Sequence, residues 1–103
     1  MTQLIVLFNL KDGVEPSAYE AWAKSTDLPI VRGLASINSF SIYRASGLLG
    51  SEETPPYQYV EVIKIDDMER FGEEVASETM QKVALEFQEH ADGPLFLISE
   101  SID

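Results

Sequence analysis

The sequence predicts an α+β fold of the ferredoxin-like βαββαβ type, a four-stranded antiparallel sheet packed by helices on one side. Three observations lead there. Segments of strand length recur at residues 3–10, 37–44 and 57–65 and again from Leu95; helical apolar stripes follow the first and the third; and 103 residues hold one domain, 1–103, around a single core.

Residues 3–10 are apolar at nearly every position and stop at Asp12-Gly13, as a strand covered on both faces does. Pro16 suits the first position of a helix, and Ala18, Tyr19, Ala21, Trp22 and Ala23 follow at helical spacing until Asp27-Leu28-Pro29 interrupts them. The first helix is therefore expected over 16–26, with a further short turn from Pro29 to Arg32 that Gly33 stops. Residues 37–44 alternate with period two, the signature of a second strand. The Gly- and Pro-punctuated stretch 46–56 is longer than a tight hairpin and can close over a site. The third strand, 57–65, sets Tyr57, Tyr59, Glu61 and Ile63 on one face and Gln58, Val60, Val62 and Lys64 on the other.

Asp66 or Asp67 caps a second helix, whose apolar stripe runs through Met68, Phe71, Val75, Met80, Val83, Ala84 and Phe87, bent near Gly72 or restarted at Ser77. Gly93-Pro94 is expected to end it, and Leu95-Phe96-Leu97-Ile98 to open the last strand. Because the first, third and last strands are apolar on both faces, the sheet side away from the helices is expected to be buried by a second copy. A two-fold homodimer, an α+β barrel, follows.

The net charge of −11 repels a nucleic-acid backbone or an anionic membrane, and neither is expected as a partner. Residues 66–103 carry eleven acids against two bases, which reads as a solvated acidic helix face or as a docking face for a basic protein. With no cysteine, disulfides and thiolate sites are excluded and a cytoplasmic location is permitted. His90 is the only histidine, so a metal site is not expected. The run Leu4-Ile5-Val6-Leu7-Phe8 is far shorter than the ~20 residues that span a bilayer and reads as a buried strand, not an export signal. No phosphate loop, nucleophile elbow or dinucleotide fingerprint occurs, so action without a cofactor is expected.

Glu61 is the most informative acid, since a carboxylate in mid-strand between Val60 and Val62 must be satisfied in some way. It can serve as a general acid or base, accept an N–H from a pyrrole or indole, or form a structural pair with Arg32, Arg44 or Lys64. Tyr57 and Tyr59 share its face and can stack a flat ligand or simply wall the core. Trp22, beside Tyr19, is either a core anchor or a pocket wall; His90 caps its helix or lies at the surface. Ser39, Ser41 and Tyr43 line one face of the second strand, toward a polar cavity or for cross-strand bonds. Asn9, Asp27 and Arg32 lie near strand ends, where binding loops gather, and Asp27 and Arg32 can pair.

In combination, Tyr19-x-x-Trp22, Thr26-Asp27-Leu28-Pro29-Ile30-Val31-Arg32-Gly33-Leu34, Tyr43-Arg44-x-x-Gly47 and Tyr57-Gln58-Tyr59-Val60-Glu61-Val62 resemble the RedY/HapK-like proteins of prodiginine pigment clusters, over nearly the whole chain. The resemblance implies a dimeric α+β barrel and a role in bacterial red tripyrrole biosynthesis, on the branch that handles a methoxy-bipyrrole carbaldehyde. The expected ligand is then a planar bipyrrole held without cofactor. Glu61 and Tyr59 are the candidate catalytic residues, and Trp22, Tyr19, Arg32, Ser41, Tyr43, Tyr57 and His90 the candidate binding residues. Two alternatives stand beside this: a noncatalytic accessory that holds intermediates or docks on another pathway enzyme through Glu73, Glu74 and Glu78, and a cofactor-free oxygenase of the barrel type.

Overall fold

The computed structural model describes residues 2–103. Strand β1 (Thr2–Leu10) leads to α1 (Pro16–Trp22), a π-helical turn (Ala23–Asp27) and α2 (Leu28–Arg32). Then come β2 (Ile37–Arg44), β3 (Tyr59–Ile65), α3 (Met68–Val75), α4 (Glu78–His90) and β4 (Ala91–Glu100). The sheet is antiparallel with order β2-β3-β1-β4, so the two βαβ units interleave as the ferredoxin-like pattern requires.

The first helical segment does not break at Asp27-Leu28-Pro29. Pro29 has no N–H, and its ring collides with the carbonyl four residues back in a regular helix. The π turn removes both problems: the Leu28 N–H reaches back five residues to the Ala23 carbonyl, and helix continues to Arg32, where Gly33 caps it. The turn also sets the inner face. Tyr19, Ala23, Asp27 and Val31 are all buried, at steps of four. At 3.6 residues per turn, each such step overshoots by about 40°, so a straight helix would swing Val31 roughly 120° away from Tyr19. The wider turn absorbs that drift.

Two strand boundaries also differ from expectation. β3 begins at Tyr59 rather than Tyr57, because after Pro55-Pro56 the Gln58 N–H bonds Asn9 Oδ1 (3.0 Å) while its side-chain Oε1 accepts the Leu10 N–H (2.6 Å). Side chains thus reinforce the end of the ladder, where the Gln58 backbone still meets Phe8 (3.2 Å) and Ala45 (2.8 Å), and Asn9 is a strand-end clasp that also donates to the Pro56 carbonyl (3.0 Å). β4 begins at Ala91, and α4 ends at His90, before Gly93-Pro94. The pair lies in a bulge between the Leu7↔Leu95 and Asn9↔Asp92 pairings. Gly93 takes φ +57, and an edge strand tolerates the missing N–H of Pro94. Ser77 restarts the helix, accepting the Met80 N–H as Asp67 accepts that of Arg70.

Val6, Phe8, Leu10, Phe40, Tyr59, Ile63 and Ile65 point to the helices and form the core with Tyr19, Val31, Met80 and Phe87. On the opposite face, the register aligns Val62 with Ile5 and Leu97, and Val60 with Leu7 and Leu95. Leu95 and Leu97 are 46% and 48% exposed there, an apolar band across three strands. No helix of the described residues is long and apolar enough to cross a membrane.

Candidate functional site

Glu61 lies in the middle of β3 on the helix side, paired across the sheet with Val6 and Ile42, and is 5% exposed. Among the described residues, the one hydrogen bond that stabilises its charge comes from Tyr19, whose hydroxyl donates to Oε2 at 3.3 Å. No cation among the described residues contributes to its electrostatics. Arg44 grips Glu20 instead, and the Arg32 Nε donates to the Phe40 carbonyl at 3.0 Å. Burial, with the nearby Asp27 charge, pushes the Glu61 carboxyl up to about 8, against a smaller downward pull from Tyr19.

Asp27 is the second acid of the site. The π turn carries it to the inner face, 5% exposed, where among the described residues neither a cation nor a hydrogen-bond donor stabilises its charge, and burial pushes it up to about 7. Asp27 and Glu61 line one cavity of about 150 Å³ between sheet and helices. Its other walls are mainly apolar: Leu4, Val6, Val31, Phe40 and Ile63 inside, with Phe71, Ala84, Gln88 and Phe96 toward the rim. Phe96 is 56% exposed on the edge strand. A cavity of this size takes up a single aromatic ring. Two carboxyls whose protons come off near neutrality can accept an N–H, donate to an oxygen, or act as general acid and base.

The sequence-predicted residues divide around this cavity. Glu61 lines it, and Tyr19 touches it through Glu61. Trp22, Tyr59 and His90 pack around Tyr19 rather than lining the cavity: Tyr59 is 4.8 Å from Tyr19 between ring centroids, and Trp22 stacks on His90 at 5.2 Å. Trp22 Nε1 donates to Glu86 Oε1 at 2.8 Å, tying α1 to α4. Tyr59 borders a separate cleft of about 210 Å³ with Glu20 and Arg44, and Tyr57 a neighbouring one of about 170 Å³. Arg32 and Ser41 line a depression at the β2 edge, and Tyr43 is exposed. Asp27 is the functional candidate that sequence reading missed as such. Its signal was the four-residue spacing of Tyr19, Ala23, Asp27 and Val31.

No group of three or more His, Asp or Glu side chains among the described residues is placed to hold a metal ion. The family model described as REDY-like protein HapK matches residues 2–102. No curated protein sequence matches the chain. Among solved structures, HapK from Hahella chejuensis superposes with a TM-score of 0.81 at 30% identity, covering 99% of this chain and 93% of that one. A mutant of SnoaB, a cofactor-independent oxygenase from Streptomyces nogalater, gives a TM-score of 0.79 at 11% identity, covering 99% and 93%. A dimeric ferredoxin-like protein of unknown function from Thermobifida fusca gives 0.77 at 13%, covering 97% and 90%.

Proposed function

The chain belongs to the REDY-like HapK family, and from that premise we propose that it serves the biosynthesis of a pyrrole-based pigment by holding a planar bipyrrole intermediate, without a cofactor, in the cavity between sheet and helices. One observation carries this reading: a buried carboxyl, Glu61, borders an apolar cavity with no cation beside it. Such a group needs a donor, and a pyrrole N–H on a flat apolar ring supplies one without bringing a second charge. Tyr19 holds Oε2, which leaves Oε1 for the ligand. One ring fits beside the acids; the second lies toward the rim against Phe96 and Gln88.

The test is binding of the methoxy-bipyrrole aldehyde to the purified protein. Glu61→Gln should weaken it near neutral pH by ~1–3 kcal/mol, the cost of disturbing a hydrogen bond in a buried site, while the variant stays folded. Unchanged affinity rejects the role. Turnover of the aldehyde by the protein alone makes it an enzyme. Oxygen uptake during that turnover favours the oxygenase reading that the likeness to SnoaB suggests.

The same reading makes the protein a cytoplasmic homodimer closed over its second sheet face. The apolar band of Ile5, Leu7, Val60, Val62, Leu95 and Leu97 supports it. The fold neighbour from Thermobifida fusca is itself described as dimeric. Leu97→Glu should convert the dimer to monomer in light scattering. A monomeric wild-type protein at micromolar concentration rejects the barrel.

A further inference from the structure

The placement of Asp27 opposite a strand carboxyl goes beyond a single acid awaiting a single donor. We infer that Asp27 and Glu61 work as one carboxyl pair sharing a proton, and that the pair selects a neutral ring edge offering an N–H donor beside a hydrogen-bond acceptor. This rests on the cavity's being the ligand site, as proposed above, and it names what the ligand must present there.

Asp27 and Glu61 meet in one small, mainly apolar space. Both acids are 5% exposed and face the same cavity of about 150 Å³. Two anions there repel each other across a medium of low dielectric and hold one proton between them over a range of pH. The surroundings do nothing to compensate. From α1 comes the Tyr19 hydroxyl, spent on Glu61 Oε2; from α4 comes Gln88, a neutral amide; from α3 and β4 come Phe71 and Phe96; β1 and β2 supply only apolar walls. Burial lifts both carboxyls toward neutrality, in agreement with that picture.

A half-protonated pair is one acceptor and one donor. The carboxylate takes an N–H, and the carboxylic acid gives its O–H to an oxygen or imine nitrogen. An edge with two donors meets an O–H where it needs a lone pair, and an edge with two acceptors meets a carboxylate. Each mismatch leaves a buried polar group unpaired. An anion is repelled outright. Ligand affinity should therefore be bell-shaped in pH, since fully protonated acids accept the N–H weakly and fully ionised ones have no proton to give.

The experiment uses the whole protein and three probes: pyrrole-2-carbaldehyde, which carries both groups, its N-methyl derivative, which lacks the donor, and pyrrole, which lacks the acceptor. The first should bind at least tenfold more tightly than either of the others, with a maximum near neutral pH. Asp27→Asn keeps the shape of the side chain and removes the shared proton. It should abolish the alkaline limb, so that binding rises once with pH as Glu61 ionises and then stays level. Carboxyl ¹³C chemical shifts of the unliganded wild-type protein give a reading that needs no variant: two separated steps, each felt by both acids. Equal binding of the three probes, a wild-type profile with a single limb, a bell that survives Asp27→Asn, or two acids that titrate independently would each overturn the pair. If the bipyrrole aldehyde fails to bind while the small probes behave as described, the functional reading falls and the pair stands.

Discussion

Two glutamates face each other's layers, one on a helix and one on the sheet, and each is held by the other's tyrosine. Glu20 follows Tyr19 on α1, and Glu61 lies two residues beyond Tyr59 on β3; yet Tyr59 donates to Glu20 at 2.7 Å, and Tyr19 donates to Glu61 at 3.3 Å. The outcomes are opposite. Glu20 is held down at about 2, first by the two hydrogen bonds from Arg44 and then by Tyr59; Glu61 is driven up to about 8 by burial. A phenol donor therefore does not decide the charge of its carboxyl. A guanidinium and access to water decide it, and where both are withheld the acid becomes a proton carrier at neutral pH.

The largest expected consequence is in the pH dependence of stability. Asp27 and Glu61 rise from ordinary values of 3.8 and 4.5 to about 7 and about 8. The folded chain keeps protons that the unfolded chain releases, so stability is full below about pH 4 and declines as pH climbs through 8. Shifts of this size correspond to something on the order of 4 kcal/mol for each acid. Urea midpoints measured from pH 4 to 9 should fall steeply in the wild type and more gently in Asp27→Asn and Glu61→Gln. Identical slopes in all three proteins would erase the contrast between the buried pair and Glu20.

Removing the phenol from the buried side comes next. Tyr19→Phe keeps the ring that meets Phe8 edge-on at 5.4 Å and Tyr59 at 4.8 Å, but it takes away Glu61's one stabilising donor. The cost should be about 1–2 kcal/mol at pH 7 and larger above it, with the Glu61 titration moved further up. A Glu61 titration that stays in place would mean that the 3.3 Å contact contributes nothing.

The sequence carries this contrast unevenly, for physical reasons. Glu61 announced itself because an acid in mid-strand between valines has few exits. The open sheet face was equally plain, since Ile5, Leu7, Val60 and Val62 alternate with residues that also had to be buried. The partners were not legible. Arg32, Arg44 and Lys64 all stood as cations that could reach Glu61, but the ladder sets Arg44 opposite Tyr59, two residues from Glu61, where Glu20 meets it. Asp27 was hidden by Pro29, read as the end of a helix when the chain solves the same steric problem with one wide turn. Gly93-Pro94 misled in the same way, as a stop where an edge strand bulges.

The smallest effect belongs to the exposed pair, and it is the sharpest check on whether the two regions are independent. Arg44 grips Glu20 with Nε at 2.8 Å and Nη2 at 2.5 Å, but the arginine side chain is 66% exposed. Water and salt screen such a pair, so Arg44→Met should lower the urea midpoint at neutral pH only slightly, by less than Tyr19→Phe does. A depressed carboxyl contributes stability above its unfolded value of 4.5 and loses it as pH falls through about 2; the variant should therefore be weaker only above that acid range and should converge on the wild type near pH 2. Carboxyl ¹³C shifts should show Glu20 moving up toward 4.5, short of it because Tyr59 still donates. The decline in stability toward pH 8 should be unchanged, because Arg44 is absent from the walls of the cavity that holds Asp27 and Glu61. An alkaline limb that moves with Arg44→Met would show that the guanidinium reaches the buried acids after all, and Glu61 could then no longer be treated as a carboxyl without a cation.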